Sequence, residues 1–110
     1  MKKENIEYNL FMKMFSEETG VTDKDRIAML MSQLKRAEGK LHRIYLDECN
    51  TGKKNEERER QLCSHVCDLL KKYKTIKVTF NSDPRGGAIR LIFKKTGWYN
   101  TLGSDAAIDW

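Results

Sequence analysis

Ile76-Lys77-Val78-Thr79-Phe80-Asn81-Ser82-Asp83-Pro84-Arg85-Gly86-Gly87-Ala88-Ile89-Arg90-Leu91-Ile92-Phe93 is the stretch on which the reading of this chain turns. Apolar residues recur with a period of two on both sides of its centre, as Ile76, Val78 and Phe80 and again as Ile89, Leu91 and Phe93, which is the pattern of half-buried strands. Between the runs lie turn formers. Asp83 can accept backbone N–H bonds from the residues that follow it, Pro84 presets φ for the second turn position, and Gly86 and Gly87 permit φ above zero. The stretch therefore predicts a β-hairpin with one face packed on the rest of the protein. The opposite face carries Lys77, Thr79, Asn81 and Arg90 and is polar and cationic. Successive N–H groups in such a turn can form a concave anion nest, and Arg85 adds a planar fork of donors suited to phosphate. The same residues also satisfy a plain turn with a solvated arginine.

Beyond the hairpin, Lys94-Lys95-Thr96-Gly97 predicts a second turn into a third strand at about 98–102, completing a three-stranded antiparallel meander over about 76–81, 88–93 and 98–102. The last residues, 103–110, show no periodicity, although the terminal Ile-Asp-Trp is apolar enough to dock. Upstream the period changes to that of a helix. Ile6, Leu10, Phe11, Met14 and Phe15 predict a short amphipathic helix ending near Gly20. Thr22 with Asp25 resembles a capping box opening a long helix. In that helix Ile27, Leu30, Leu34, Ala37, Leu41 and Ile44 step alternately by three and four, a coiled-coil-like seam. Gly39 interrupts it off the seam, at a cost of roughly 1 kcal/mol relative to Ala. Cys49-Asn50-Thr51-Gly52 should end it. A further helix is expected from Asn55, with Glu56, Glu57 and Glu59 at its positive end, a seam of Leu62, Val66, Leu69 and Tyr73, and Lys71, Lys72 and Lys74 at its negative end. The expected fold is α+β in a single domain spanning 1–110: a short N-terminal helix (1–21), a coiled-coil-like helical hairpin (22–74), and the antiparallel sheet with its tail (75–110).

A chain of 110 residues, 34% charged and 39% hydrophobic, has a modest core, and oligomerisation is one way to enlarge it. No run reaches the roughly 18 apolar residues of a membrane span. The N-terminal Met1-Lys2-Lys3-Glu4-Asn5 leads into no apolar core with a cleavage site, which argues against a signal peptide. The expected compartment is the cytoplasm, and reduced thiols follow for Cys49, Cys63 and Cys67. Cys63, His65 and Cys67 invite a metal reading, but on a helix His65 points away from the face that the two cysteines share, so no metal is assigned. The net charge of +5 is unevenly spread: between Lys71 and Lys95 eight basic residues accompany the single acid Asp83. Such a segment attracts nucleotides, nucleic acid or acidic protein surfaces.

The candidate ligand-binding residues are Phe80, Asn81, Asp83, Arg85, Gly86 and Gly87 at the turn, Arg90 on the polar face, and Trp98, Tyr99, Asn100 and Thr101 in the third strand. An aromatic ring or arginine plane can support a base, Asn100 can read its polar edge, and Arg85, Arg90 and the loop amides can hold phosphates. Packing is the competing explanation for Trp98 and Tyr99. There is no P-loop, nucleophile elbow or histidine pair, and no spacing of a known metal motif. The sequence thus points to binding without turnover, with no catalytic residue and no cofactor.

The long charged helix, Cys49-Asn50 near the inter-helix turn, the Phe80-x-x-Asp83-Pro84-Arg85-Gly86 loop and the closing Asn100-Thr101-x-Gly103 resemble the phage Thoeris anti-defence proteins of the first-described type, over about residues 27 to 104. That resemblance implies a symmetric homo-oligomer, a dimer or hexamer. It implies that the assembly sequesters cyclic ADP-ribose isomers made by bacterial immune enzymes, and cyclic oligonucleotides in some members, without hydrolysing them. A different reading of the same charge is a nucleic-acid or CRISPR-effector inhibitor that binds through the sheet face.

Overall fold

A computed structural model describes residues 6–83 and 85–102. In chain order these form α1 (Ile6–Thr19), α2 (Lys24–Thr51), α3 (Glu56–Leu69), β1 (Ile76–Phe80), β2 (Ile89–Phe93) and β3 (Tyr99–Thr101). The α+β class is as expected, with helices followed by an antiparallel sheet in the order β1-β2-β3. Pro84, Gly103 and the terminal Ile-Asp-Trp, for which the sequence carried expectations, lie outside the described residues.

Local chemistry sets the helix ends. Gly20 takes the left-handed conformation (φ 78°) and donates its N–H to Ser16 O at 2.8 Å, closing α1. The N-cap of α2 is Asp23 and not Thr22: its Oδ1 accepts from Asp25 N at 3.0 Å and Arg26 N at 3.4 Å. A carboxylate there satisfies two orphan donors and also suits the positive end of the helix. Gly52 (φ 70°) ends α2 with its N–H on Glu48 O, and Asn55 opens α3. The third helix stops at Leu69, earlier than its apolar spacing predicts. Lys71, Lys72 and Lys74 therefore follow the helix instead of forming its last turn, and Tyr73 leaves the seam to meet the ring of Phe15 edge-on at 4.9 Å.

The buried stripe of α2 also differs from the expected one. Ile27, Met31, Leu34, Glu38, Leu41 and Tyr45 step by four and three, with Leu30 and Ala37 buried beside them, while Ile44 is only half-buried. Most of this stripe joins the core shared with Phe11 and Phe15 of α1 and with the sheet. The third helix packs on α2, and Val66 is its fully buried residue. Near their shared turn, Tyr45 meets Cys63, and the carboxyls of Glu48 and Glu59 approach each other. Burial first, then the neighbouring Cys63, Glu59 and Glu48, push the Tyr45 hydroxyl up to about 12. Burial and the shared contact with Glu48 likewise raise the Glu59 carboxyl, whose Oε2 is buried without a hydrogen-bond partner.

In the sheet, Ile76 pairs with Phe93, Val78 with Leu91 and Phe80 with Ile89, so the alternating set points to one side as its period requires. That side packs on the helices. Phe93 is fully buried among Phe11, Phe15 and Trp98, with ring centroids at 6.1, 6.2 and 4.9 Å. Offset and edge-on contacts of this kind add to what area burial already contributes. Among the described residues no helix is long and apolar enough to cross a membrane.

Candidate functional site

Two buried glutamates position the hairpin turns. Glu38, 6% exposed in the middle of α2, accepts Ala88 N on Oε2 at 3.0 Å and Ile89 N on Oε1 at 2.8 Å. Glu18, 3% exposed on α1, accepts Lys95 N on Oε2 at 3.0 Å and Thr96 N on Oε1 at 2.9 Å. A carboxylate with both oxygens bonded to backbone donors offsets its loss of water. For Glu18, burial alone acts to raise the pKa. Bonds from the Thr75 hydroxyl, the Thr96 and Lys95 amides and the Thr96 hydroxyl together outweigh it, and the net direction is down. Each helix thus holds one end of β2, and the turn after β1 is indexed to α2.

Within that turn, Asn81 N donates to Ala88 O and Asp83 N donates to Asn81 Oδ1 at 3.1 Å. Asp83 Oδ1 receives both Arg85 N (3.0 Å) and Arg85 Nε (3.1 Å), while Oδ2 receives Nη2 at 3.1 Å. The Asp83 carboxyl is lowered chiefly by the Arg85 side chain and then by its amide, and Arg85 is correspondingly raised by Asp83. This ion pair is solvent-exposed, with the Arg85 side chain 89% accessible. Positive φ among the described residues belongs to Gly20, Gly52 and Gly97, so the left-handed conformation that Gly86 and Gly87 would permit is absent at both, and the glycine of the second turn takes it instead. A Cβ at Gly86 would meet only Asn81 Nδ2, at 3.7 Å.

Pairing divides the candidate residues between the two sides of the sheet. Arg90 lies opposite Thr79 and Thr101, and Ile92 lies opposite Lys77 and Tyr99, so these six form two rows on the face away from the helices. The guanidinium of Arg90 sits over the Tyr99 ring, 5.9 Å from its centroid, and Tyr99 itself is 64% exposed. Phe80 and Asn100 are on the other side, opposite Ile89 and Leu91. Trp98 packs there against Phe93 and, at 6.2 Å, against Phe11. Packing accounts for Trp98, and Tyr99 is the exposed ring of the two. Asn81, Asp83, Arg85 and Gly86 stand together at the turn, Gly87 is buried beneath it, and Arg90, Tyr99 and Thr101 share the open face.

The most voluminous cleft described lies elsewhere, along the groove between α2 and α3, and encloses about 690 Å³. Arg36, Lys40 and Arg43 come from α2 and Arg58 from α3, above Ala37, Ile44 and Leu62. Ala37, Ile44 and Leu62 belong to the expected seams, but the four cations above them carried no expectation, because the acids and bases of α2 alternate along the chain and separate only when wound onto a helix. Charged residues spaced by four and three were the available signal. Cys63 is half-buried beside Tyr45, Cys49 and Cys67 are exposed, and among the described residues no three His, Cys, Asp or Glu side chains are grouped to hold a metal ion. No protein-family model, curated protein or solved structure matches the chain.

Proposed function

We propose that this protein sequesters a phosphate-bearing nucleotide and releases it unchanged, using the hairpin turn and the open sheet face. The observation that carries the reading is Arg90 stacked on the exposed Tyr99 ring, with Lys77 on the same face and Arg85 at the adjoining turn. A base laid on Tyr99 gains about 1–3 kcal/mol from stacking, while Arg90, Lys77 and Arg85 offer charge to the phosphates. Thr79 and Thr101 supply hydroxyls between them. The resemblance of the turn to the Thoeris anti-defence proteins names cyclic ADP-ribose isomers as the ligand and the host cytoplasm during phage infection as the setting.

A single chain leaves this face open, so a second copy is needed to enclose the ligand and slow its escape. Sequestration then works by mass action: an abundant binder with slow release holds the free signal below the level its receptor needs. Isothermal titration with cyclic ADP-ribose isomers is the direct test. Saturable heat that is lost in both Arg85→Ala and Arg90→Ala, with the ligand recovered intact by chromatography, supports the reading. Absence of heat with every isomer, or a hydrolysed ligand, overturns it.

The polar face also favours a second reading, in which it binds single-stranded nucleic acid. An affinity falling steeply with salt on an oligonucleotide would select it, since each phosphate neutralised on a single strand contributes about −0.7 to the log–log slope.

A further inference from the structure

We infer that the groove between α2 and α3 is a docking site for an acidic amphipathic helix of a partner protein. Its lining on α2 runs from Gln33 to Asp47, about 21 Å at 1.5 Å per residue, or some four turns of a helix laid alongside. Arg36, Lys40 and Arg43 are spaced by four and three and so line up on one side of α2, with Arg58 contributed by α3. Among the described residues none of these four has an ion-pair partner. Beneath them Ala37, Ile44 and Leu62 form an aliphatic floor.

Other occupants match these features less well. A compact diphosphate concentrates its charge, whereas Arg36 and Arg43 alone stand about 10 Å apart along the helix axis. Single-stranded nucleic acid is held by aromatic stacking platforms, and His65 is the one ring in a groove lining that holds no Phe, Tyr or Trp. A second copy of this chain, docked here about a twofold axis, would set the same cations against themselves. The aliphatic floor instead suits leucine-like side chains repeating every three or four residues, and glutamates flanking that stripe would meet the cations. Asp47, the acid of the lining, closes one end of the groove and leaves the binding charge on the stretch from Arg36 to Arg43.

The test uses the full chain and a fluorescent synthetic peptide of about 16 residues, helical, with leucines on one face and glutamates beside them. Fluorescence anisotropy at low salt is expected to saturate. The exposed pair Arg43→Glu/Arg58→Glu should weaken binding by at least about tenfold and should prefer the same peptide carrying lysine in place of glutamate. Backbone amide shifts should map to α2 and α3. Thermal melting of the double variant checks that it folds, and Arg36→Glu/Lys40→Glu repeats the test at the other end of the groove. No saturation by about 1 mM peptide, equal binding of an isomer with its leucines scattered, tighter binding of oligothymidylate, or shifts confined to the sheet would each overturn the inference. Arg85 and Arg90 are untouched by these variants, so this result and the nucleotide titration fail or succeed independently.

Discussion

Arg85 and Arg90 on the sheet are already engaged by their own chain, one by the Asp83 carboxylate and the other by the Tyr99 ring. In the α2–α3 groove, Arg36, Arg43 and Arg58 have no such partner among the described residues. Equal charges are therefore set up for different work. A held guanidinium loses little freedom when a ligand arrives, but an incoming anion must compete with whatever holds it. A free one offers its full charge and reach, and it orders only when a partner supplies the acid. The first arrangement favours a small ligand of fixed shape, the second an extended and adaptable one.

Glu38→Gln should disturb this contrast most. The amide turns an N–H₂ toward one of two buried donors, and leaving it unsatisfied should cost about 2–4 kcal/mol in urea unfolding. The hairpin turn should lose its fixed position over α2, so nucleotide binding is expected to suffer more than peptide binding in the groove. A stability unchanged by Glu38→Gln would mean that the turn is not held from α2.

Two other glutamates predict opposite responses to pH. The Glu18 pKa is depressed, so its contribution is present above the ordinary carboxylate value and is lost as pH falls through the folded-state value. For Glu59 the pKa is raised, so its cost is absent at low pH and grows as pH climbs past the ordinary carboxylate value toward the folded-state one. Melting curves across acid pH should therefore flatten on the acid side in Glu18→Gln. Glu59→Gln should gain stability at neutral pH, by under about 1 kcal/mol for a partly exposed group.

Gly39→Ala is a smaller test of α2, which borders both proposed sites. A Cβ there meets nothing within 4 Å, so the change should add about 0.5–1 kcal/mol to unfolding stability without altering either binding reaction. The finest effect is expected from Asp83→Asn, which keeps an acceptor for Arg85 N but removes the competing charge. Nucleotide affinity should then rise by about twofold to fivefold, measured by the same titration. A fall would show that holding Arg85 in place outweighs freeing it.

The strands and their facing were legible from Ile76, Val78, Phe80, Ile89, Leu91 and Phe93, because a period of two leaves one assignment of sides once a core exists. Helix ends were legible wherever glycine or asparagine marked them. The clamps at Glu18 and Glu38 were not, since each joins a helix to backbone amides 50 or more residues away, and periodicity carries no trace of such a bond. A hint was present: Glu38 falls between Leu34 and Leu41 on the stripe, where a charge needs a partner. At the candidate site, the division of Phe80, Trp98 and Asn100 from Arg90, Tyr99 and Thr101 follows from the parity of the third strand. Reading Trp98 to Thr101 as one surface overlooked that parity.

Ala37 lines the groove, and its neighbour Glu38, about 100° further round the same helical turn, grips the start of β2. One helical turn thereby borders two surfaces that share no side chain.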